Sequence, residues 1–220
     1  MYKTPLKSSI SLIVLIFFTS NANAGIFDGC LGSKGYKPIS AEKLKAKADI
    51  SAKHMGICYE TAICLARAEG ALDKSQESYL LGTINLKGGD NYSEGYKAIM
   101  ELNDSALAKP SLDINEITES GFINFHETAR DKFVHTAYIQ VARNGDKYLY
   151  NANNTVIDRV LTAGDTAEFT LAGRALRHPL NADKVAKFNS WLEESGHKIY
   201  YTPSREVTGN IMSAMSGPKA

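Results

Sequence analysis

Residues 133–154, FVHTAYIQVARNGDKYLYNANN, decide the fold class that we expect for this chain of 220 residues. Side chains from 133 to 141 alternate between two faces, which is typical of a β-strand with one face in a core. The dipeptide Asn144-Gly145 favours a tight turn, and KYLYN (147–151) supplies the return strand. The segment therefore predicts a β-hairpin, with His135 near the start of its first strand.

The length of the hairpin loop decides which asparagine faces His135. A two-residue turn puts Asn154 on the face of His135, whereas a three-residue loop with a bulge puts Asn151 and Asn153 there. The sequence leaves both registers open. In either register the run NANN (151–154) supplies an amide oxygen near the imidazole.

Helical patterns lie on both sides of the hairpin in the sequence. They cover SAEKLKAKADISAKH (40–54), HMGICYETAICLARAEG (54–70) and NADKVAKFNSWLEESG (181–196). HKIYYTP (197–203) predicts a last strand, whereas 111–132 indicates only a short helix and a loop, and 155–180 has no regular pattern. We therefore expect an α+β fold, with N-terminal helices packed on a small antiparallel sheet.

The first 24 residues have the pattern of a secretory signal peptide. Lys3 and Lys7 form a positive n-region, ISLIVLIFF (10–18) a short apolar region, and ANA before Gly25 a cleavage site. The apolar run is shorter than the roughly 20 residues that a membrane anchor needs. We expect an exported protein, periplasmic or secreted, with one domain over 25–205 and a flexible tail over 206–220.

Charge and composition narrow the class of partner. Lys and Arg number 25 against 24 Asp and Glu, so the chain lacks the concentrated positive charge that nucleic-acid binding requires. No glycine-rich loop resembles a phosphate-binding loop, and His126 beside Glu127 fits no common metal-ligand spacing. We expect a protein or peptide substrate and no cofactor or metal. The oligomeric state is left open.

The three cysteines, Cys30, Cys58 and Cys64, allow one disulfide in an oxidising compartment and leave one thiol. Cys58 and Cys64 point to different sides of one predicted helix, so Cys30–Cys64 is the expected bond. Cys58 lies near the start of that helix. There the unpaired backbone N–H groups and the helix dipole stabilise a thiolate.

The order of Cys58, His135 and the asparagine cluster has a chemical use. A nucleophilic thiol needs a base to take its proton, and the base needs a partner that orients it. We assign Cys58 as nucleophile, His135 as base in a thiolate–imidazolium pair, and one asparagine of the run NANN (151–154) as the orienting residue. Other polar residues, among them Asp158 and His178, are assigned to loops.

Three stretches together resemble the core of papain-like cysteine peptidases, with the YopT-type bacterial effector peptidases as the closest branch. They are GICYETAICLARAEG (56–70), HTAYIQVARNGDKYLYNANN (135–154) and FNSWLEESGHKIYY (188–201). Transglutaminase-like enzymes share the same core. The resemblance implies a papain-like fold in which Asn151 takes the third catalytic position and orients His135, with Asn153 as second choice. It departs from the family at Tyr59, where tryptophan is usual.

The resemblance also implies an oxyanion hole beside the nucleophile. No glutamine precedes Cys58 at the usual place, so His54 is the candidate for a donor beside the backbone N–H of Cys58. The expected activity is that of an exported thiol-dependent hydrolase, a protease or deamidase, as in a bacterial effector or toxin; amide transfer of the transglutaminase type stays open. The alternative is a non-enzymatic secreted binding or inhibitor domain with structural cysteines.

Overall fold

The computed structural model describes residues 37–51, 58–88, 113–162, 168–170 and 175–216. These residues form six α-helices and one antiparallel sheet of six strands, which confirms the expected α+β class. The helices are α1 (Ala41–Ser51), α2 (Cys58–Glu69), α3 (Lys74–Gly88), α4 (Thr155–Thr162), α5 (Ala182–Glu194) and α6 (Ser204–Met215). The strands are β1 (Gly121–Glu127), β2 (Lys132–Val141), β3 (Lys147–Ala152), β4 (Glu168–Thr170), β5 (Ala175–Pro179) and β6 (His197–Pro203).

The sheet has the order β4-β5-β3-β2-β1-β6, and each of its faces packs against helices. The first face, which contains Phe122 and Tyr138, packs with residues of α1, α2, α3 and α6. The second face, which contains Phe125 and Ile139, packs with residues of α4 and α5. Successive side chains of a strand point to opposite faces, so each central strand contributes to both clusters.

The β2–β3 hairpin has the three-residue register. Val141 pairs with Lys147, and the backbone N–H of Ala142 donates to the carbonyl oxygen of Asp146 at 2.8 Å, which leaves residues 143–145 as the loop. Gly145 lies in the left-handed region, with φ of +88°, as the third residue of such a loop requires. Of the two registers that the sequence left open, this one puts Asn151 on the second face, two residues after the buried Leu149.

A bulge in β2 puts Phe133 and His135 on opposite faces of the sheet. Phe125 pairs with His135 and His126 pairs with Phe133, so Val134 has no partner on β1. Phe133 packs in the first-face cluster, whereas Val134 and the ring of Phe125 belong with the second. A bulge of this kind places two successive side chains on one face. His135 therefore shares the second face with Phe125.

Strand β1 is one of the elements that the sequence analysis did not predict. Residues 111–132 indicated a short helix and a loop, but 121–127 lie in the sheet between β2 and β6. The strand is buried on both faces, so its sequence GFINFHE does not alternate between apolar and polar residues. Its buried Asn124 accepts a hydrogen bond from the hydroxyl of Thr136 at 2.7 Å.

The prediction of a flexible tail over 206–220 was wrong for the part that the structure describes. Residues 204–215 form α6, and its Val207 and Ile211 are fully buried in the first-face cluster. Their spacing of four residues puts both on one side of the helix. The predicted strand β6 and helix α5 are confirmed, while 155–180 contains α4, β4 and β5 rather than irregular chain. No helix among the described residues is long and apolar enough to cross a membrane.

Replacement of Ile211 tests whether α6 belongs to the core. Ile211→Ala removes a fully buried side chain, and we expect the free energy of unfolding to fall by about 2–4 kcal/mol. Met215→Ala, at a half-exposed position of the same helix, should change it by less than about 0.5 kcal/mol. Urea denaturation measures both values; equal midpoints for the two variants would contradict the packing of α6.

Candidate functional site

A hydrogen bond between His135 and Asn151 forms the centre of the candidate site. Nε2 of His135 donates to Oδ1 of Asn151 at 2.6 Å, and both residues are almost completely buried. The two side chains come from β2 and β3 and lie on the second face of the sheet. Among the residues that the structure describes, Asn151 is the one hydrogen-bond partner of this imidazole. Nδ1 is therefore the nitrogen left to act as a base.

The pair continues into a longer polar network. Nδ2 of Asn151 donates to the backbone oxygen of Asn154 at 2.8 Å and to Oδ1 of Asp158 at 2.7 Å. The same carboxylate oxygen accepts a hydrogen bond from Nε2 of His178 at 2.8 Å. Asp158 lies in the first turn of α4 and His178 on β5. Four side chains from four elements thus form one chain of hydrogen bonds, which we call the histidine network: His135, Asn151, Asp158 and His178.

The surroundings of His135 keep its imidazole neutral. The pKa of the ring is lowered from 6.5 to about 4, chiefly by burial, although the hydrogen bond to Asn151 and the charge of Asp158 raise it and offset part of that effect. The ring also packs against Phe125, with ring centroids 5.4 Å apart. The sequence analysis expected a thiolate–imidazolium pair. In this environment the histidine is instead a neutral base at neutral pH.

Cys58 is the first residue of α2 and packs in the first-face cluster together with Phe133. At the other end of the helix, the carboxylate of Glu69 accepts a hydrogen bond from the hydroxyl of Tyr138 at 2.5 Å. Eleven helical steps span about 16 Å, and the five residues from Tyr138 back to Phe133 span about 16 Å of strand. With Cys58 and Phe133 in one cluster and Glu69 bonded to Tyr138, helix α2 runs parallel to β2, and Cys58 lies at the end of the sheet where β2 begins.

The structure thus brings together two of the three predicted catalytic residues. His135 and Asn151 are in direct contact, whereas no hydrogen bond joins Cys58 to His135 among the residues described. Cys58 lies on the first face and His135 on the second, at the same end of β2. The pairing of β2 with β3 ends at Tyr138 and Tyr150, so β2 continues to His135 paired with β1 but not with β3.

The remaining predicted residues have different outcomes. Asn153, the second choice for orienting the histidine, lies in an exposed turn with φ of +62°, and the imidazole is hydrogen-bonded to Asn151 instead. His54 and Cys30 lie outside the described residues. The expected Cys30–Cys64 disulfide is wrong, because Cys64 is a free thiol, 1% exposed, in the interior of the first-face cluster. Burial raises the pKa of the Cys64 thiol to about 11, with a further rise from the charge of Glu77.

A small cleft lies beside the histidine network on the second face. It has a volume of about 170 Å³, and Phe125 and Val134, which adjoin His135, form part of its wall. Trp191 and Val156 extend the apolar wall, and Asn154 and His197 add polar groups. An apolar cavity of about 150 Å³ is large enough for benzene. The cleft can therefore hold one apolar or aromatic side chain.

No group of three or more His, Cys, Asp or Glu side chains in the described ranges could hold a metal ion. The histidine network contains one carboxylate that already accepts two hydrogen bonds. Its chemistry is that of a buried base with polar partners.

Sequence reasoning missed Asp158 and His178, which it assigned to loops. Asp158 faces Asn151 because α4 begins immediately after β3, with Asn154 accepting hydrogen bonds from the N–H groups of Val156 and Ile157. This capping asparagine was the one local signal that a helix starts there. His178 reaches the network because β5 pairs with β3, opposite Leu149. That pairing has no signature in the sequence.

Comparison with known protein families gives one match. Residues 37–211 match a family described as Domain of unknown function (DUF8038). The chain belongs to this family. The matched range contains Cys58 and the whole histidine network. No curated protein and no solved structure matches the chain.

The low pKa of His135 predicts a loss of stability at acid pH. The unfolded chain binds a proton at this residue near pH 6.5, but the folded chain binds it only near pH 4. The contribution of His135 to stability is therefore present above pH 6.5 and falls as the pH drops toward 4, by about 3 kcal/mol in total. We expect His135→Gln to lack this component.

Urea denaturation of both proteins at pH 7 and pH 4 measures the effect. The difference in unfolding free energy between wild type and His135→Gln should shift in favour of the variant by about 3 kcal/mol at the lower pH. Parallel pH curves for the two proteins would show that the imidazole is not held neutral by burial.

Proposed function

We propose that the protein is an exported thiol-dependent hydrolase that cleaves an amide of a protein or peptide, with Cys58 as nucleophile, His135 as base and Asn151 as the orienting residue. The observation that carries the proposal is the 2.6 Å hydrogen bond from Nε2 of His135 to Oδ1 of Asn151. It fixes the ring and reserves Nδ1 for a proton. The sequence order of the three residues and their resemblance to papain-like peptidases support the same assignment.

The position of α2 supports Cys58 as the nucleophile. The helix begins at Cys58, so the thiol lies at the positive end of the helix dipole, where a developing thiolate is stabilised. The proposal requires the thiol and Nδ1 of His135 to meet at the start of β2, beyond the last pair of the β2–β3 ladder. Cys64 is unsuitable because it is buried two turns deeper in the same helix.

The proposed reaction proceeds through a thioester. Sγ of Cys58 attacks the carbonyl carbon of the substrate, and the thiol proton passes to Nδ1 of His135. The resulting imidazolium gives this proton to the leaving nitrogen as the C–N bond breaks. A water molecule then attacks the thioester, His135 takes its proton, and the C–S bond breaks; the proton returns to the sulfur, and the acid product leaves.

The neutral state of His135 fits this sequence of proton transfers. Because burial lowers the pKa of the ring to about 4, the imidazole is free to accept a proton at neutral pH. The attack of the thiol and the transfer of its proton then occur together, rather than from a preformed ion pair. An enzyme of this kind that cleaves a main-chain amide is a protease, and one that cleaves a glutamine side-chain amide is a deamidase. Both belong to the hydrolase class that we propose.

Alkylation of the cysteines by iodoacetamide tests the proposal on the whole protein. We expect Cys58 to react between pH 5 and 7, and His135→Gln to slow this labelling by roughly 10²-fold, the contribution typical of a general base. Cys64 is an internal control, because burial raises the pKa of its thiol to about 11, and it should stay unlabelled. Mass spectrometry of the digested protein assigns the labelled site.

Incubation with a mixture of denatured proteins completes this test. New termini identify a protease, and a mass gain confined to glutamine identifies a deamidase; Cys58→Ser should abolish either. Equal labelling of Cys58 in wild type and His135→Gln would contradict the proposal.

A second candidate function is a non-enzymatic secreted binding domain. The observation that favours it is the cleft of about 170 Å³ with Phe125, Val134, Val156 and Trp191 in its wall. Val156 is half exposed at its edge, although it is a large apolar residue. In this function the cleft accepts one aromatic or aliphatic side chain of a partner protein. The candidate gains support if Cys58 proves as unreactive as Cys64.

A further inference from the structure

Asp158 is joined to His135 through a single intervening side chain. Oδ1 of Asp158 accepts a hydrogen bond from Nδ2 of Asn151 at 2.7 Å, and Oδ1 of Asn151 accepts one from His135 at 2.6 Å. The amide of Asn151 thus lies between a carboxylate and an imidazole. Its dipole has its positive nitrogen toward the carboxylate and its negative oxygen toward the ring.

The carboxylate itself is held in place from the other side. Nε2 of His178 donates to the same oxygen at 2.8 Å, and the His178 ring is 1% exposed. Nδ1 of His178 is buried without a hydrogen-bond partner in the described part of the chain. Burying a ring nitrogen without a partner is unfavourable, so the orientation of this ring is set by its bond to Asp158. The side chain of Asp158 is 18% exposed, so solvent screens its charge only in part.

We propose that Asp158 is a positioning residue that stabilises the imidazolium form of His135 through Asn151. Each proton transfer in the proposed reaction puts a positive charge on a buried imidazole, and the neutral Asn151 cannot balance that charge. Asp158 supplies the missing negative charge one side chain further away. The effect of Asp158 on the proton affinity of His135 can be measured without a substrate. Its consequence for catalysis rests on the proposed function.

The electrostatic surroundings of His135 agree with this role. Among the described residues, Asp158 is the charged group that acts on the imidazole of His135. Its charge raises the pKa of His135, whereas burial lowers it. The other neighbours are neutral: Asn151 on β3, and Phe125 on β1 with its ring against the imidazole. Trp191 of α5 packs beyond Phe125, with ring centroids 6.3 Å apart.

The substitution Asp158→Asn separates charge from hydrogen bonding. Asparagine has the same shape and keeps an oxygen that can accept from Asn151 and His178, but it removes the negative charge. We expect the midpoint at which His135 titrates to fall by about one pH unit, a tenfold loss of proton affinity. NMR titration of the ring C–H signals measures this midpoint, and His135→Gln assigns the signal. At pH 7, iodoacetamide should label Cys58 several-fold more slowly than in wild type.

Two control variants distinguish a charge effect from a packing effect. Asp131→Asn makes the same chemical change at a side chain that is 95% exposed and pairs with His126. His178→Gln alters the network but keeps a donor for Asp158 and the charge of that residue. Asp131→Asn should move neither the midpoint of His135 nor the labelling rate of Cys58, and His178→Gln, which keeps the charge of Asp158, should not lower the midpoint of His135.

The outcomes separate this inference from the proposed function. An unchanged midpoint and unchanged labelling in Asp158→Asn overturn the inference, as does an equal shift in His178→Gln. A lower midpoint in Asp158→Asn alone supports it. If the midpoint falls while Cys58 labels equally in wild type, Asp158→Asn and His135→Gln, the role of Asp158 stands and the thiol hydrolase fails.

Discussion

The register of the β2–β3 hairpin is the constraint on which the rest of the site depends. Side chains alternate along a strand, so a slip of one residue would turn Asn151 to the first face and leave the imidazole of His135 buried without its partner. An unsatisfied buried polar group costs about 1–3 kcal/mol. The three-residue loop, with Gly145 in the left-handed region, excludes that slip. Local turn geometry thereby sets a contact between residues sixteen positions apart.

The sequence predicts those elements whose apolar residues recur with the period of a strand or a helix. Strand β2, helix α5 and strand β6 each show a periodic pattern that survives in the structure. Strand β1 was missed because both of its faces are buried, with Phe122 on one and Phe125 on the other, so no alternation marks it. Helix α6 was missed because its buried face consists of few large side chains among small and polar ones.

Some residues of the candidate site can likewise be predicted from local sequence patterns, whereas others depend on tertiary contacts. His135 and Asn151 could be predicted, because strand periodicity and loop length limit which side chains share a face. Asp158 and His178 could not, since their approach requires α4 to fold back on β3 and β5 to pair with it. The bulge at Val134 is a further tertiary feature. It puts Phe133 on the face that packs against α2, whereas His135 keeps the second face of Ala137 and Ile139.

The placement of a neutral amide between His135 and Asp158 resolves two opposing demands on a buried base. A carboxylate in direct contact would stabilise the imidazolium strongly and leave the ring protonated near neutral pH. Burial without any negative charge would make proton uptake too unfavourable. With Asn151 between them, the ring stays neutral, its pKa near 4, while the carboxylate attracts the positive charge that the proposed proton transfer puts on the ring. His178 then holds that carboxylate without a second negative group. The distance between the carboxylate of Asp158 and the imidazole of His135, rather than the mere presence of the carboxylate, sets the proton affinity of the imidazole.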